Sequence, residues 1–226
     1  MNEFVDHTGL TSDVLYHSVY LFDQFLSKEN TLLTNLQITG LICVLISSKT
    51  LKNITMGSLT IDEIYLETGG LFSKKEMDEM EKKILKTFGS NIKSKINSKY
   101  FLKYFIDVLG NKEKLYHLSS YICELSLLSY TIYTRFRPSE IAFSSIILSF
   151  YILGKNTIPV ELQQFSLIDI KSKKINLLIS LLNQIYIKAS TIKKSPFSKK
   201  KYSKKNRLEV SLIKPPQIFI PTNNEN

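Results

Sequence analysis

The stretch Leu36–Lys49, LQITGLICVLISSK, constrains the chain more than any other. Apolar residues at 36, 38, 41, 42, 44, 45 and 46 cover most of a helix rather than one stripe. A helix apolar nearly all round must be surrounded by neighbours on several sides. It is too short and too punctuated by glycine and serine to cross a bilayer, which needs about twenty residues. Gly40 and the pair Ser47-Ser48 let other helices approach closely. The run ends in Lys49, an ammonium at the tip of a buried rod. Taken by itself, this is what a lysine snorkelling to solvent at a helix C-terminus looks like, where the dipole favours a cation.

A second such run follows about a hundred residues later. Pro138 at a first turn opens Ser139–Leu153, SEIAFSSIILSFYIL, which stops at Gly154. The segments between have helical signals. Thr11-Ser12-Asp13 offers N-cap chemistry for a helix over about 13–27, and Thr31 or Thr34 can cap the first apolar run. Thr60 with Glu63 and Ser73 with Glu76 have capping-box spacing, for a short helix ending at Gly69-Gly70 and a longer one to Phe88. Residues 1–10 read as a fragmentary helix or loop, and Lys52–Gly57 and Asn91–Ser98 as connectors. Helices are predicted at Tyr100–Leu109, Leu115–Tyr130, after Pro159, and at Ile170–Ile187. Alternating strand patterns with hairpin dipeptides are missing. The fold class is all-α: two tandem five-helix units, each around a buried central helix. The units cover 1–94 and 95–192, followed by a basic segment over 193–226.

The formal charge of +10 suggests a nucleic-acid partner until it is located. Residues 191–226 hold eight lysines and Arg207 against Glu209 and Glu225, a net +7, which leaves +3 for the rest. Direct nucleic-acid binding is therefore not expected of the body. Cys43 and Cys123 sit in apolar helical patterns and read as buried hydrophobes in a reducing compartment. Met1-Asn2-Glu3 has no signal-peptide character, so a soluble intracellular protein without a membrane partner is expected.

The ordered segments resemble the cyclin family. VLYHSVYLFDQFLS (14–27), LQITGLICVLISSK (36–49) and SKKEMDEMEKKILKTF (73–88) are similar to three successive helices of the cyclin box. FLKYFIDVLG, YICELSLLSY and RPSEIAFSSIILSFYIL resemble the C-terminal box, and KKYSKKNRLEVSLIKPP (200–216) the closing segment of A/B-type mitotic cyclins. The resemblance implies two cyclin folds and an activating, regulatory subunit of a cyclin-dependent protein kinase in cell-cycle control at G2/M. It implies no catalytic residues, no cofactor, a place in nucleus and cytoplasm, and kinase substrates as further partners. It also implies that Lys49 pairs with Glu81 and faces the kinase, with Thr50 and Lys82 on the same surface.

Three departures from the family pattern stand out. The family's substrate-docking groove is built from a Met-Arg-Ala-Ile-Leu-like run and a tryptophan. This chain begins past that run and has no Trp, so Glu3 and Gln37 match only the groove's polar positions and its hydrophobic floor is expected to be gone. Asp23 matches an aspartate that pairs with the arginine of the missing run. It is expected to be exposed, paired with another base, or raised in pKa by burial. Thr50-Leu51-Lys52 stands where the family has an aromatic or aliphatic residue and two acids, and Ser90 where it tends to place an aromatic. No destruction-type degron precedes the box.

Other patterns point elsewhere. Lys199–Lys205, KKKYSKK, fits a nuclear-import or phosphate-binding patch, and Ser195-Pro196 a proline-directed phosphosite. His7, His17 and His117 lack partners at metal-ligand spacing, and no phosphate-cradling glycine loop or nucleophile elbow is present. The alternatives are a divergent cyclin-fold scaffold, or a transcription-type adaptor like the transcription factor IIB family. That family has a zinc ribbon, which two isolated cysteines cannot build.

Overall fold

The computed structural model describes residues 1–51, 58–89, 92, 96–155, 157–192 and 197–215. The expected connector Lys52–Gly57, half of Asn91–Ser98, Ser90 and Ser195-Pro196 lie outside them. Among the described residues there are twelve α-helices and no strand. The chain divides into two compact units, Met1–Lys95 and Ile96–Asn226.

In the first unit, α1 (Asn2–His7) and α2 (Ser12–Lys28) lead into α3 (Leu36–Thr50), then α4 (Ile61–Glu67) and α5 (Lys74–Phe88). Every residue of α3 from Ile38 to Ser48 is buried. α2 and α5 pack on it, α1 lies on α2, and α4 lies on α5. Its polar atoms are satisfied locally, as a buried helix requires. Thr39 Oγ1 donates to the Asn35 carbonyl at 2.7 Å, and Ser48 Oγ accepts from the Leu59 N–H at 3.0 Å. His17 Nδ1 lies 2.8 Å from Ser47 Oγ. Both predicted capping boxes form, Thr60 with Glu63 and Ser73 with Glu76.

The helix starts differ from the sequence expectation in two places. Neither Thr31 nor Thr34 caps α3, because a 3-10 turn over Leu33–Asn35 runs directly into it. Thr11 occupies the N-cap of α2 in extended conformation, but its hydroxyl makes no capping bond. Residues 1–10 hold the short helix α1 rather than a loop.

The second unit comprises α6 (Ser98–Val108), α7 (Glu113–Ser126), α8 (Tyr130–Arg135), α9 (Pro138–Ile152), α10 (Val160–Ser166), α11 (Lys173–Thr191) and α12 (Phe197–Tyr202). Here α9 is the buried rod, with α6, α7 and α11 against it. Ser119 and Ser149 hydroxyls meet at 3.0 Å, and Cys123 Sγ reaches Ser145 Oγ at 3.3 Å, so small polar residues let α7 and α9 close on each other. The predicted helix Leu115–Tyr130 is broken. α7 stops at Ser126, and Ser129 becomes the N-cap of α8 by accepting the Ile132 N–H. A serine at that position competes with helix continuation through its own side chain.

The basic segment is packed rather than loose. α12 lies on α7, followed by 3-10 turns at Lys205–Arg207 and Val210–Leu212. Lys201 Nζ donates to Glu124 Oε1 at 2.6 Å, with side chains 7% and 1% exposed, and the Tyr202 hydroxyl joins the same oxygen at 2.9 Å. Tyr186 donates to the Ile213 carbonyl at 2.7 Å, which pins the far end.

A buried pair of this kind is costly to break on one side, because the remaining charge is stranded. Lys201→Met is expected to cost about 3–5 kcal/mol. Adding Glu124→Gln should recover most of that loss. Urea unfolding of the single and double variants tests it; additive losses would show that the two side chains are not coupled.

Candidate functional site

Lys49 stands in the last turn of α3 and Glu81 in the middle of α5. The packing of α5 on α3, with Met77 and Ile84 buried between helices, brings Lys49 Nζ to 2.7 Å from Glu81 Oε1. Lys49 is 46% exposed and Glu81 15%. An ion pair so open to solvent contributes about 1 kcal/mol or less to folding. Its geometry comes from the apolar packing beneath it, and it presents one cation and one carboxylate to solvent in fixed register.

Thr50 is exposed beside Lys49, its hydroxyl occupied by the Ile46 carbonyl at 2.8 Å. Lys82 is exposed one residue beyond Glu81. Leu85, one turn along α5 from Glu81, is 41% exposed and gives this face an apolar patch.

A groove of about 460 Å³ opens elsewhere on the first unit, with Glu3, Gln37 and Glu67 among its polar lining. Phe4, Phe22, Leu36 and Leu41 add apolar lining to it. α1 and α2 supply the two phenylalanines, so the apolar surface exists without a tryptophan. His7 Nδ1 meets Glu67 Oε2 at 2.9 Å on the rim.

Asp23, on α2, is half-buried, and burial raises its pKa. The chain's arginines, Arg135, Arg137 and Arg207, all belong to the second unit, so no arginine within the first unit can answer it. Burial, reinforced by the charge of Asp23, also pushes the Cys43 thiol up. Burial drives Cys123 up to about 12, and both cysteines are free.

Sequence reading passed over Glu124, although a lone carboxylate in YICELSLLSY was the signal of a buried partner. Within Lys199–Lys205, Lys201 is buried and Lys199 Nζ donates to the Ser190 carbonyl at 3.0 Å, while Lys200, Lys204 and Lys205 are exposed. Among the described residues no group of three or more His, Cys, Asp or Glu could hold a metal, and no helix is long and apolar enough to cross a membrane.

Comparison with protein families matches residues 1–93 to "Cyclin, N-terminal domain" and 96–216 to "Cyclin, C-terminal domain". Cyclin-A1 of Mus musculus is 26% identical over 212 residues, covering 93% of this chain and 48% of that protein. G2/mitotic-specific cyclin-B of Hydra vulgaris is 27% identical over 212 residues, covering 93% and 55%. The chain thus spans about half the length of these relatives. The crystal structure of a viral cyclin from herpesvirus saimiri superposes with a TM-score of 0.67 at 22% identity, covering 80% of this chain and 78% of that one, a likeness of fold.

The titration of Asp23 gives a signed prediction. Its folded-state pKa lies above the ordinary 3.8, so it favours folding when protonated, and that contribution is lost as pH rises through the folded value. At neutral pH the ionised carboxylate is a liability. Asp23→Asn should raise the thermal midpoint at pH 7, with the advantage fading towards pH 3.8. A midpoint at pH 7 equal to or below that of the unsubstituted protein would contradict it.

Proposed function

The chain belongs to the cyclin family of non-catalytic regulatory proteins, and on that premise we propose that it is an activating subunit of a cyclin-dependent protein kinase, working at G2/M. The observation that supports this reading is the Lys49–Glu81 pair, held at 2.7 Å on an exposed face by two packed helices. A preformed pair of opposite charges can donate to and accept from the backbone of a partner without first being ordered, which lowers the entropic cost of association. Leu85 and Thr50 add contact around it.

The mechanism is allosteric. A kinase needs its lysine–glutamate pair assembled by an inward position of its mobile helix, and its activation loop in place. A rigid helical face that binds the inward arrangement better than the outward one shifts the population by that difference alone. The groove at Glu3 and Gln37 is assigned to kinase substrates. A basic side chain would meet Glu3 and Glu67 there, and apolar ones Phe4 and Phe22. Nucleus and cytoplasm are the compartments this role requires.

Lys49→Ala and Glu81→Ala should each weaken the complex with a cyclin-dependent kinase catalytic subunit by roughly two to three and a half orders of magnitude, since each strands the other charge against the partner at a cost of about 3–5 kcal/mol when desolvated. Co-purification and kinase activity read this directly. If both variants still bind and activate, the assignment of this face fails. If the unsubstituted chain brings down no kinase, the scaffold reading replaces it.

A further inference from the structure

The chain beyond α11 lies on α7 as an arch with two feet. The first is Lys201 and Tyr202 on Glu124; the second is the fully buried Val210, with Ile213 held by Tyr186. Between the feet the backbone turns tightly. The Arg207 and Glu209 N–H groups donate to the Lys204 carbonyl at 2.9 and 3.3 Å, and the Leu208 N–H to the Lys205 carbonyl at 2.9 Å. Leu208 and Glu209 are both left-handed, with φ of 53° and 51°. That conformation sets Cβ against a carbonyl oxygen, so two such residues in a row persist only where other contacts over-determine them.

A histidine of α7 faces this strained turn. The His117 side chain is 8% exposed, and its Nδ1 is buried without a hydrogen-bond partner among the described residues. On α7 itself the Glu113 carboxylate, 71% exposed, makes a long contact of 3.7 Å to Nε2, and the Tyr116 ring lies at 5.5 Å. From the arch comes Arg207, whose guanidinium lies 5.9 Å over the Tyr202 ring and acts on His117 as a like charge. Lys103 and Asp107 of α6, opposite in sign, line the cleft that holds Glu113 and Tyr116. α9 brings the Ser149 hydroxyl to Ser119, and α11 brings Tyr186 to Tyr121, one turn along. Glu124 with Lys201 is two turns away. Burial first, and then Arg207, hold the His117 pKa below the ordinary 6.5, against the opposite pull of Glu113. A neutral ring suits the closed arch, whereas an imidazolium would be a buried cation beside a guanidinium, answered by one solvent-screened carboxylate.

We propose that residues 203–209 form a pH-sensitive cover on α7, which protonation of His117 releases between its two feet. The strained turn supplies the tendency to open, and the neutral histidine permits closure. A group that is harder to protonate when the cover is shut favours the shut state fully above its ordinary pKa. That preference is lost as pH falls through 6.5 towards the lower value of the closed form. The device belongs to the second unit and needs no partner protein.

The test is amide hydrogen exchange on the full chain at about pH 7.5 and about pH 5.5, corrected for intrinsic exchange rates. Protection of the Arg207, Leu208 and Glu209 amides should fall by up to about tenfold at the lower pH, the ceiling for one histidine studied about one unit below its ordinary pKa. Amides of α9 should keep their protection. His117→Gln should remove the pH dependence. Arg207→Gln leaves the histidine in place, takes away the opposing cation and should shrink the dependence; it decides alone if His117→Gln does not fold. Protection of the turn that is the same at both pH values overturns the proposal. A pH dependence that survives His117→Gln, or that Arg207→Gln leaves intact, does so too. A parallel loss in α9 also overturns it, because acid would then be loosening the whole unit rather than the cover.

Discussion

Two helices without a polar face impose the rest of this structure. α3 and α9 bury nearly every side chain along their length. Neither can lie on a surface, so each collects partners until it is enclosed. Each fully buried Leu, Ile or Phe side chain contributes about 1.5–3 kcal/mol of transfer free energy, and these two rods concentrate that term. Most of their buried serines and threonines bond back into the helix or to a facing side chain, while the Ser144 hydroxyl is buried without a hydrogen-bond partner among the described residues. Close approach between neighbouring helices is the structural return.

That enclosure explains how an exposed ion pair can be precise. Lys49 projects from the end of a rod that cannot rotate without unburying Ile42, Leu45 and Ile46, all essentially inaccessible. Glu81 projects from a helix whose Met77 and Ile84 are equally confined. The pair contributes little to holding the helices together; the helices hold the pair. Such an arrangement suits recognition, because the orienting entropy was lost during folding and not at the encounter.

Much of this was readable in advance, and the failures have physical causes. The 3.6-residue pattern, the two capping boxes and Pro138 located the main helices, because those signals are local. The pairing of Lys49 with Glu81 was not visible from spacing, since it joins residues 32 apart; it came from family resemblance. The break at Leu127–Ser129 was hidden by an unbroken apolar pattern. At the C-terminal end the run of lysines read as a basic segment following the second unit, and part of it packs against α7. Charge counting cannot say that one of them meets Glu124 inside the protein.

That last contact has a practical side. Phe197–Ile213 seals the carboxylate of Glu124 and covers Tyr121 and Tyr186, so the second unit is not finished where its long helix α11 ends at Thr191. Anyone who trims the chain at that helix, by analogy with where a compact bundle usually stops, would leave an anion and two aromatic rings facing water. The packed part of this half extends at least through Ile213.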